Sequence, residues 1–256
     1  MTRILTALVL IPAFCYIVLW APQWAFLAAV AMVAALCFHE YSDLVALHGI
    51  SKPGVFGYVA GLLILFLPDR DAAFFVLVAI LGMALSLRSR ELSDVLGSAA
   101  ALLLGVAYVF GSLRCAIELR AISPYWLFFG LSLNWAGDIA ALYVGRLVGR
   151  HKLAQRISPA KSWEGAAGSL VASIAYAGLY LPRLLPAVPL VEGMGLAAVA
   201  NVAGQFGDLC ESALKRGAGV KDSGTLLPGH GGWLDRVDSS LFALPVVYFV
   251  VSNFRW

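Results

Sequence analysis

Apolar residues run almost end to end along this chain, broken only by short polar stretches. The apolar blocks near 4–20, 23–38, 54–68, 72–87, 94–115, 124–145, 163–182, 188–208 and 239–254 read as nine spans. Several are shorter than the roughly 20 residues that a helix needs to cross a bilayer core, so tilted, half-buried or joined segments are expected among them. The predicted fold is all-α, a polytopic integral membrane helical bundle of about nine transmembrane helices. It is one integral domain over residues 1–256, with N-terminal membrane helices over 1–120 and a half that carries the chemistry over 121–256. The opening Met1-Thr-Arg-Ile-Leu is expected to begin the first span, because no small-residue cleavage site precedes a soluble domain.

Composition sharpens this reading. Hydrophobic residues make up 61% of the chain and charged residues 13%, with a mean hydropathy of +0.85, values that belong to a membrane protein. Any active site must then be assembled from helix ends and short loops. A net charge of +3 is too small to imply nucleic-acid binding, whereas basic residues gathered on one face suit anionic lipid. Thirteen of the eighteen Lys and Arg residues fall in one set of alternating loops, including 146–162 and 209–238, and five in the other. This asymmetry predicts that the first set is cytoplasmic, in a bacterial-type cytoplasmic membrane. Cys15, Cys37, Cys115 and Cys210 form no ligand cluster and read as buried small hydrophobes.

The charge that remains is concentrated in residues 208–238, where Lys215, Arg216, Lys221 and Arg236 stand beside Asp208, Glu211, Asp222, Asp235 and Asp238. Composition alone would also fit a solvated loop between two spans, but spacing points to a polyanion-and-metal site. If the preceding helix continues past 208, then Asp208, Glu211, Ser212 and Lys215 share one face. Gly217 and Gly219 then break the helix, and the Leu-Pro-Gly-His-Gly-Gly run can bring backbone N–H groups, those of Gly231 and Gly232 included, close to an anion. Asp235 and Asp238 follow three apart at the start of the last apolar run, placed either to bind a cation or to cap the helix. Asp208 ends one span and Asp235 begins the next, so their carboxylates are the first candidates for a metal, with Asp138, Asp222 and Asp238 behind them.

A second informative stretch begins at Asp138, an acid inside an apolar run and so a functional candidate by its cost alone. Asp138, Ala141 and Gly145 keep helical spacing, which makes a small-residue groove that also suits close helix packing. A basic group at Arg146, Arg150, His151 and Lys152 follows, and then Ser158-Pro-Ala-Lys161-Ser-Trp-Glu-Gly165. His39-Glu-Tyr-Ser-Asp43, at the end of the second apolar run, reads as a solvated helix end without chemistry.

Residues 212–238 closely resemble the signature of the phosphatidate cytidylyltransferase (CDP-diglyceride synthase) family. Ser212, Lys215, Arg216, Lys221, Asp222, Gly224, Leu227, Pro228, His230, Gly231, Gly232, Asp235, Arg236 and Asp238 fill the positions of that signature, and Trp233 stands where an aliphatic residue is more usual. The stretches Asp138…Ala141…Gly145-Arg146…Gly149 and Ser158…Gly165 resemble a second, looser part of the family pattern, with Ile139, Leu142 and Ala160 as departures.

The resemblance implies the reaction CTP plus phosphatidate giving CDP-diacylglycerol plus pyrophosphate, at the membrane. It also implies a metal at Asp208 and Asp235; hard oxygen ligands make Mg²⁺ the expected ion and leave room for a second cation. Asp208, Asp235, Lys215, Arg216, Lys221 and Asp222 are the expected catalytic set. Ser212, His230, Gly231, Gly232, Arg236, Ser158, Lys161 and Asp138 are expected to bind substrate. Whether the protein forms a homodimer is left open. The rival class, a transporter or channel, would need several ionisable residues deep within the spans, and here charge gathers at their ends; the rival among enzymes is a related membrane nucleotidyl or lipid-phosphate transferase with another substrate.

Overall fold

The computed structural model of the chain describes residues 12–67, 72–87, 91–226 and 231–254. The described elements are α1 (Gln23–Leu47), α2 (Gly54–Phe66), α3 (Ala72–Ser86), α4 (Asp94–Gly105), α5 (Ser112–Ile122), α6 (Pro124–Val148), α7 (Trp163–Leu184), α8 (Leu190–Gly217) and α9 (Leu234–Phe254). A π-helical turn, Val106–Gly111, joins α4 to α5, and a short hairpin of β1 (Lys152–Ala154) and β2 (Ser158–Ser162) lies between α6 and α7. Residues 12–19 are also helical, and the rest of the expected first span lies outside the described residues. Among the described residues five helices are long and apolar enough to cross a membrane: α1, the continuous Asp94–Ile122, α6, α7 and α9. The chain is a polytopic membrane helical bundle.

Three expected boundaries move, each for a physical reason. The second apolar run was expected to end at 38, but α1 continues to Leu47 because Glu40 and Tyr41, read as part of a solvated end, are buried. Similarly, α8 continues past 208 to Gly217, where Gly219 at φ +74° closes it. The amides of Gly219 and Val220 donate back to the carbonyls of Arg216 and Lys215 at 3.1 and 2.9 Å, the paired bonds of a Schellman ending. The last helix begins at Leu234 rather than 239, so Asp235 falls in its first turn and Asp238 one turn inside it. The hairpin was not anticipated; its strands are antiparallel, pairing Lys152 with Ser162 and Ala154 with Ser158.

Packing divides the chain into two compact units. The first comprises Gln23–Arg114 and Leu214–Arg236. Its core is aromatic: the Phe38 ring meets those of Tyr58 and Phe110 at centroid distances of 4.9 and 5.2 Å. The Tyr41 hydroxyl donates to the Ala101 carbonyl at 2.8 Å. Such rings fit only because Gly61 and Gly105 lack side chains. A Cβ at Gly61 would overlap the Phe110 ring, and one at Gly105 would overlap that of Tyr41.

The second unit comprises Cys115–Ala213 with the described parts of Ile4–Pro22 and Val237–Trp256. Phe129 packs against Tyr180 with ring centroids 5.4 Å apart, and the Tyr180 hydroxyl donates to the Tyr125 carbonyl at 2.7 Å. A cluster of polar side chains inside this unit pairs internally, as an apolar surrounding favours. Asn201 Nδ2 donates to Ser169 Oγ and Ser173 Oγ, both at 2.9 Å, and Gln205 Nε2 donates to Asn201 Oδ1 at 2.7 Å. The Arg120 guanidinium donates to the carbonyls of Val18 and Ala21 at 2.8 and 2.5 Å, which satisfies acceptors left over where residues 12–19 end. Of the four cysteines only Cys37 is buried, while Cys210 is exposed on α8, against the expectation for that residue.

The glycine contacts give a direct test. Gly61→Ala should overpack a ring that is fully buried, and an overpacked core costs about 1–3 kcal/mol. A lowered midpoint of thermal unfolding in detergent is expected, and an unchanged midpoint would mean that Phe110 can move aside.

Candidate functional site

Charged residues gather in each unit. In the second unit the site grows from the ends of α6, α7 and α8 and from the hairpin. Gly145, Gly149 and Gly165 draw the end of α6 against the start of α7. A Cβ on Gly145 would lie 3.3 Å from Ser162 Oγ, and one on Gly165 would lie 3.0 Å from the Ala141 carbonyl oxygen. The expected small-residue groove is therefore filled by helix packing. Ser162 caps α7, accepting from the Gly165 amide at 3.1 Å, and the Trp163 amide donates to the His151 carbonyl at 2.9 Å. These bonds seat β2.

From β2, the Lys161 ammonium meets Asp208 Oδ2 at 2.5 Å. Ser212, one turn along α8, donates to Asp208 Oδ1 at 3.3 Å. Asp138, exposed on α6, lies within electrostatic reach of both Asp208 and Lys161. The structure thus brings together Asp138, Lys161, Asp208 and Ser212 of the expected set. Ser158 lies at the start of β2, half-buried, and Asp238 accepts from its neighbour Ser239's amide at 2.7 Å. Glu211, noted for its place on the polar face of α8, is fully buried.

In the first unit the site is a loop folded around two carboxylates. Lys215, at the last turn of α8, donates to Asp235 Oδ1 at 2.5 Å. The Ser223 amide donates to the same carboxylate at 3.0 Å, to Oδ2, and the Gly232 amide donates to Oδ2 at 2.7 Å. Gly231 has φ +78°, and a Cβ there would lie 2.7 Å from Asp235 Oδ2 and 3.5 Å from Asp222 Cβ. Arg216 donates to the Val220 carbonyl at 3.1 Å, across the turn that ends α8. Arg216, Lys221, Asp222 and Arg236 are exposed and available to a ligand from solvent. His230 lies outside the described residues.

The second carboxylate was missed. Glu40 of α1 is 2% exposed, and it accepts from Ser223 Oγ at 2.8 Å, the Trp233 amide at 2.9 Å and the Leu234 amide at 2.8 Å. Gly224 and Gly232 press on it so closely that a Cβ at either would collide with the carboxylate. The glycine run was expected to offer its amides to a bound anion, yet the Gly232 amide is already committed to Asp235. The amides of Ser223, Trp233 and Leu234 likewise turn inward, toward the protein's own anions. One signal was available in the sequence: Glu40 sits on a helix between Phe38 and Tyr41, where a solvated end would not carry two large aromatics.

Chemically, each cluster offers a carboxylate that already holds an ammonium, with further cationic side chains nearby. Such an arrangement can bind polyanions and exchange one positive partner for another. Replacing Gly231 by Ala should strain the turn, since the left-handed backbone disfavours a side chain and the Cβ meets Asp235. Faster tryptic cleavage after exposed Lys221 is expected, and an unchanged digestion rate would show that the turn absorbs the change.

A model of the Cytidylyltransferase family matches residues 1–254. Similar curated proteins include the phosphatidate cytidylyltransferase of Bacillus subtilis, 32% identical over 98% of this chain and 97% of that protein. The phosphatidate cytidylyltransferase of Brucella suis is 35% identical over 99% of this chain and 93% of its own. That of Haemophilus influenzae is 40% identical, over 55% of this chain and 51% of its own.

Proposed function

The chain belongs to the cytidylyltransferase family, and we propose that this enzyme converts CTP and phosphatidate into CDP-diacylglycerol and pyrophosphate in phospholipid biosynthesis. The reading rests on near full-length similarity to proteins of that name, together with one observation. The carboxylates of Asp208, inside α8, and Asp235, in the first turn of α9, each hold a lysine ammonium at 2.5 Å. Those are the partners that a triphosphate and a lipid phosphate require at a membrane boundary.

In the proposed reaction an oxygen of the lipid phosphate attacks the α-phosphorus of CTP. A phosphoanhydride bond forms there as the bond to the β-phosphate oxygen breaks, and pyrophosphate departs with that electron pair. A phosphate monoester loses its second proton near pH 6, roughly, so the nucleophile is already largely a dianion and no protein base is needed. The protein's task is to hold two anions together and to balance the charge on the leaving group. Lys161, Lys215, Arg216, Lys221 and Arg236 are assigned to phosphate oxygens, with Ser158 and Ser212 as hydroxyl donors. Asp222 and Asp238 are assigned to orienting this basic set, and His230 to donating to a phosphate.

Mg²⁺ is the proposed ion at Asp208 and Asp235, with Asp138 as a further carboxylate near the first. Both carboxylates suit a cation, as the ammonium already held by each indicates, and their oxygens match a hard metal. When bound, the ion would supply positive charge to the phosphates and to the leaving pyrophosphate.

Three experiments test the proposal. Purified protein given phosphatidate and Mg²⁺ should transfer label from the α-phosphate of CTP into lipid and release label from the γ-phosphate as pyrophosphate; absence of lipid label would refute it. Asp208→Asn and Asp235→Asn should each lose roughly a hundredfold or more in turnover, the scale of lost electrostatic support. Near-normal turnover and Mg²⁺ dependence would rule out the metal assignment. Cytoplasmic placement of residues 209–238 is proposed from the basic-residue asymmetry. In a background with Cys210 replaced, a cysteine introduced at exposed Thr225 should resist impermeant reagent in intact cells, and labelling from outside would reverse the orientation.

A further inference from the structure

We propose that Glu40, in the half of the chain outside the family signature, is a positioning residue for the reaction, a role that rests on the activity proposed above. Its carboxylate accepts from Trp233 and Leu234, the amides at the very start of α9. It thereby caps that helix from a position 194 residues away in sequence. Its third bond, from Ser223 Oγ at 2.8 Å, fixes the other end of the described loop. Asp235 follows Leu234 directly, and its own carboxylate accepts from the Ser223 and Gly232 amides.

Glu40 and Asp235 thus divide one set of loop donors between them. Ser223 bonds Asp235 through its amide and Glu40 through its hydroxyl, so neither carboxylate can shift without disturbing the other's partner. The local fit is tight on every side, since side chains at Gly224 and Gly232 would both strike Glu40. Glu40 itself is 2% exposed, so it does not meet substrate. It acts through the backbone that carries Asp235 and Arg236.

Replacing Glu40 by Gln keeps its size but turns an acceptor into an amide donor that faces the backbone N–H groups. The loop then has to be ordered when substrate binds. A binding-competent state that is only fractionally populated raises the apparent dissociation constant by the reciprocal of that fraction and leaves saturated turnover intact. E40Q should therefore raise KM for CTP tenfold or more, with kcat within about threefold of the parent. Hydrogen exchange in 223–226 and 231–236 should quicken while that in α6 and α7 stays unchanged. S223A, which removes one donor and keeps the carboxylate, should move both readouts in the same direction by a smaller amount, and it decides the matter if E40Q does not fold.

A role confined to global stability predicts the opposite split: a smaller active fraction, hence lower kcat at unchanged KM, with faster exchange throughout. That pattern, or parental exchange and KM in both variants, would overturn the proposal. Exchange is read without substrate, so parent protein that fails to turn over CTP would count against the assigned reaction alone, and the loop measurement would still decide the role of Glu40 in holding this backbone.

Discussion

A buried carboxylate costs several kcal/mol unless its oxygens are bonded, and Glu40 meets that condition only when Ser223, Trp233 and Leu234 are folded around it. The requirement works in both directions. The loop is rich in glycine, whose backbone freedom opposes order, and its Leu226 is left exposed. Three donors converging on a fixed anion offset that cost. The glycines at 224 and 232 follow from this, because the backbone must come close enough to reach the carboxylate and any side chain would prevent it.

The same logic governs the second unit with different parts. There the close approach is between helices, at Gly145 and Gly165, and the fixed point is Ser162, whose hydroxyl caps α7. Lys161 precedes that cap by one residue and so inherits its position, which is how a long, flexible ammonium side chain is delivered to Asp208. Farther along α8, Asn201 and Gln205 bond to each other and to α7. The helix that carries Asp208 is therefore held by hydrogen bonds as well as by packing, a useful addition where surrounding lipid gives apolar contacts little net advantage.

Much of this was readable from the chain. Long apolar blocks located the helices, and charge crowded between 208 and 238 located the loop, because neither signal depends on tertiary context. Glu40 was not readable in the same way. Its neighbours His39 and Asp43 are polar, so the segment resembles an exposed end, and what decides its burial is a loop almost two hundred residues later that supplies its donors. The amide of Gly232 was misjudged for the same reason: a glycine-rich run predicts available N–H groups but not which anion takes them. The hairpin at 152–162 lacks strand-like alternation, and its existence depends on the cap at Ser162 and on the bond between Trp163 and His151.

Placement of charge at helix ends has a mechanistic consequence. Lysines 161 and 215 are neutralised by carboxylates when no phosphate is near, so neither stands as an unpaired cation beside the bilayer, where its desolvation would be costly. Such pairing keeps each cluster close to electrical neutrality, and on the reading proposed above an anionic ligand that takes up an ammonium leaves the carboxylate to its remaining donors: the Ser223 and Gly232 amides for Asp235, and the Ser212 hydroxyl for Asp208.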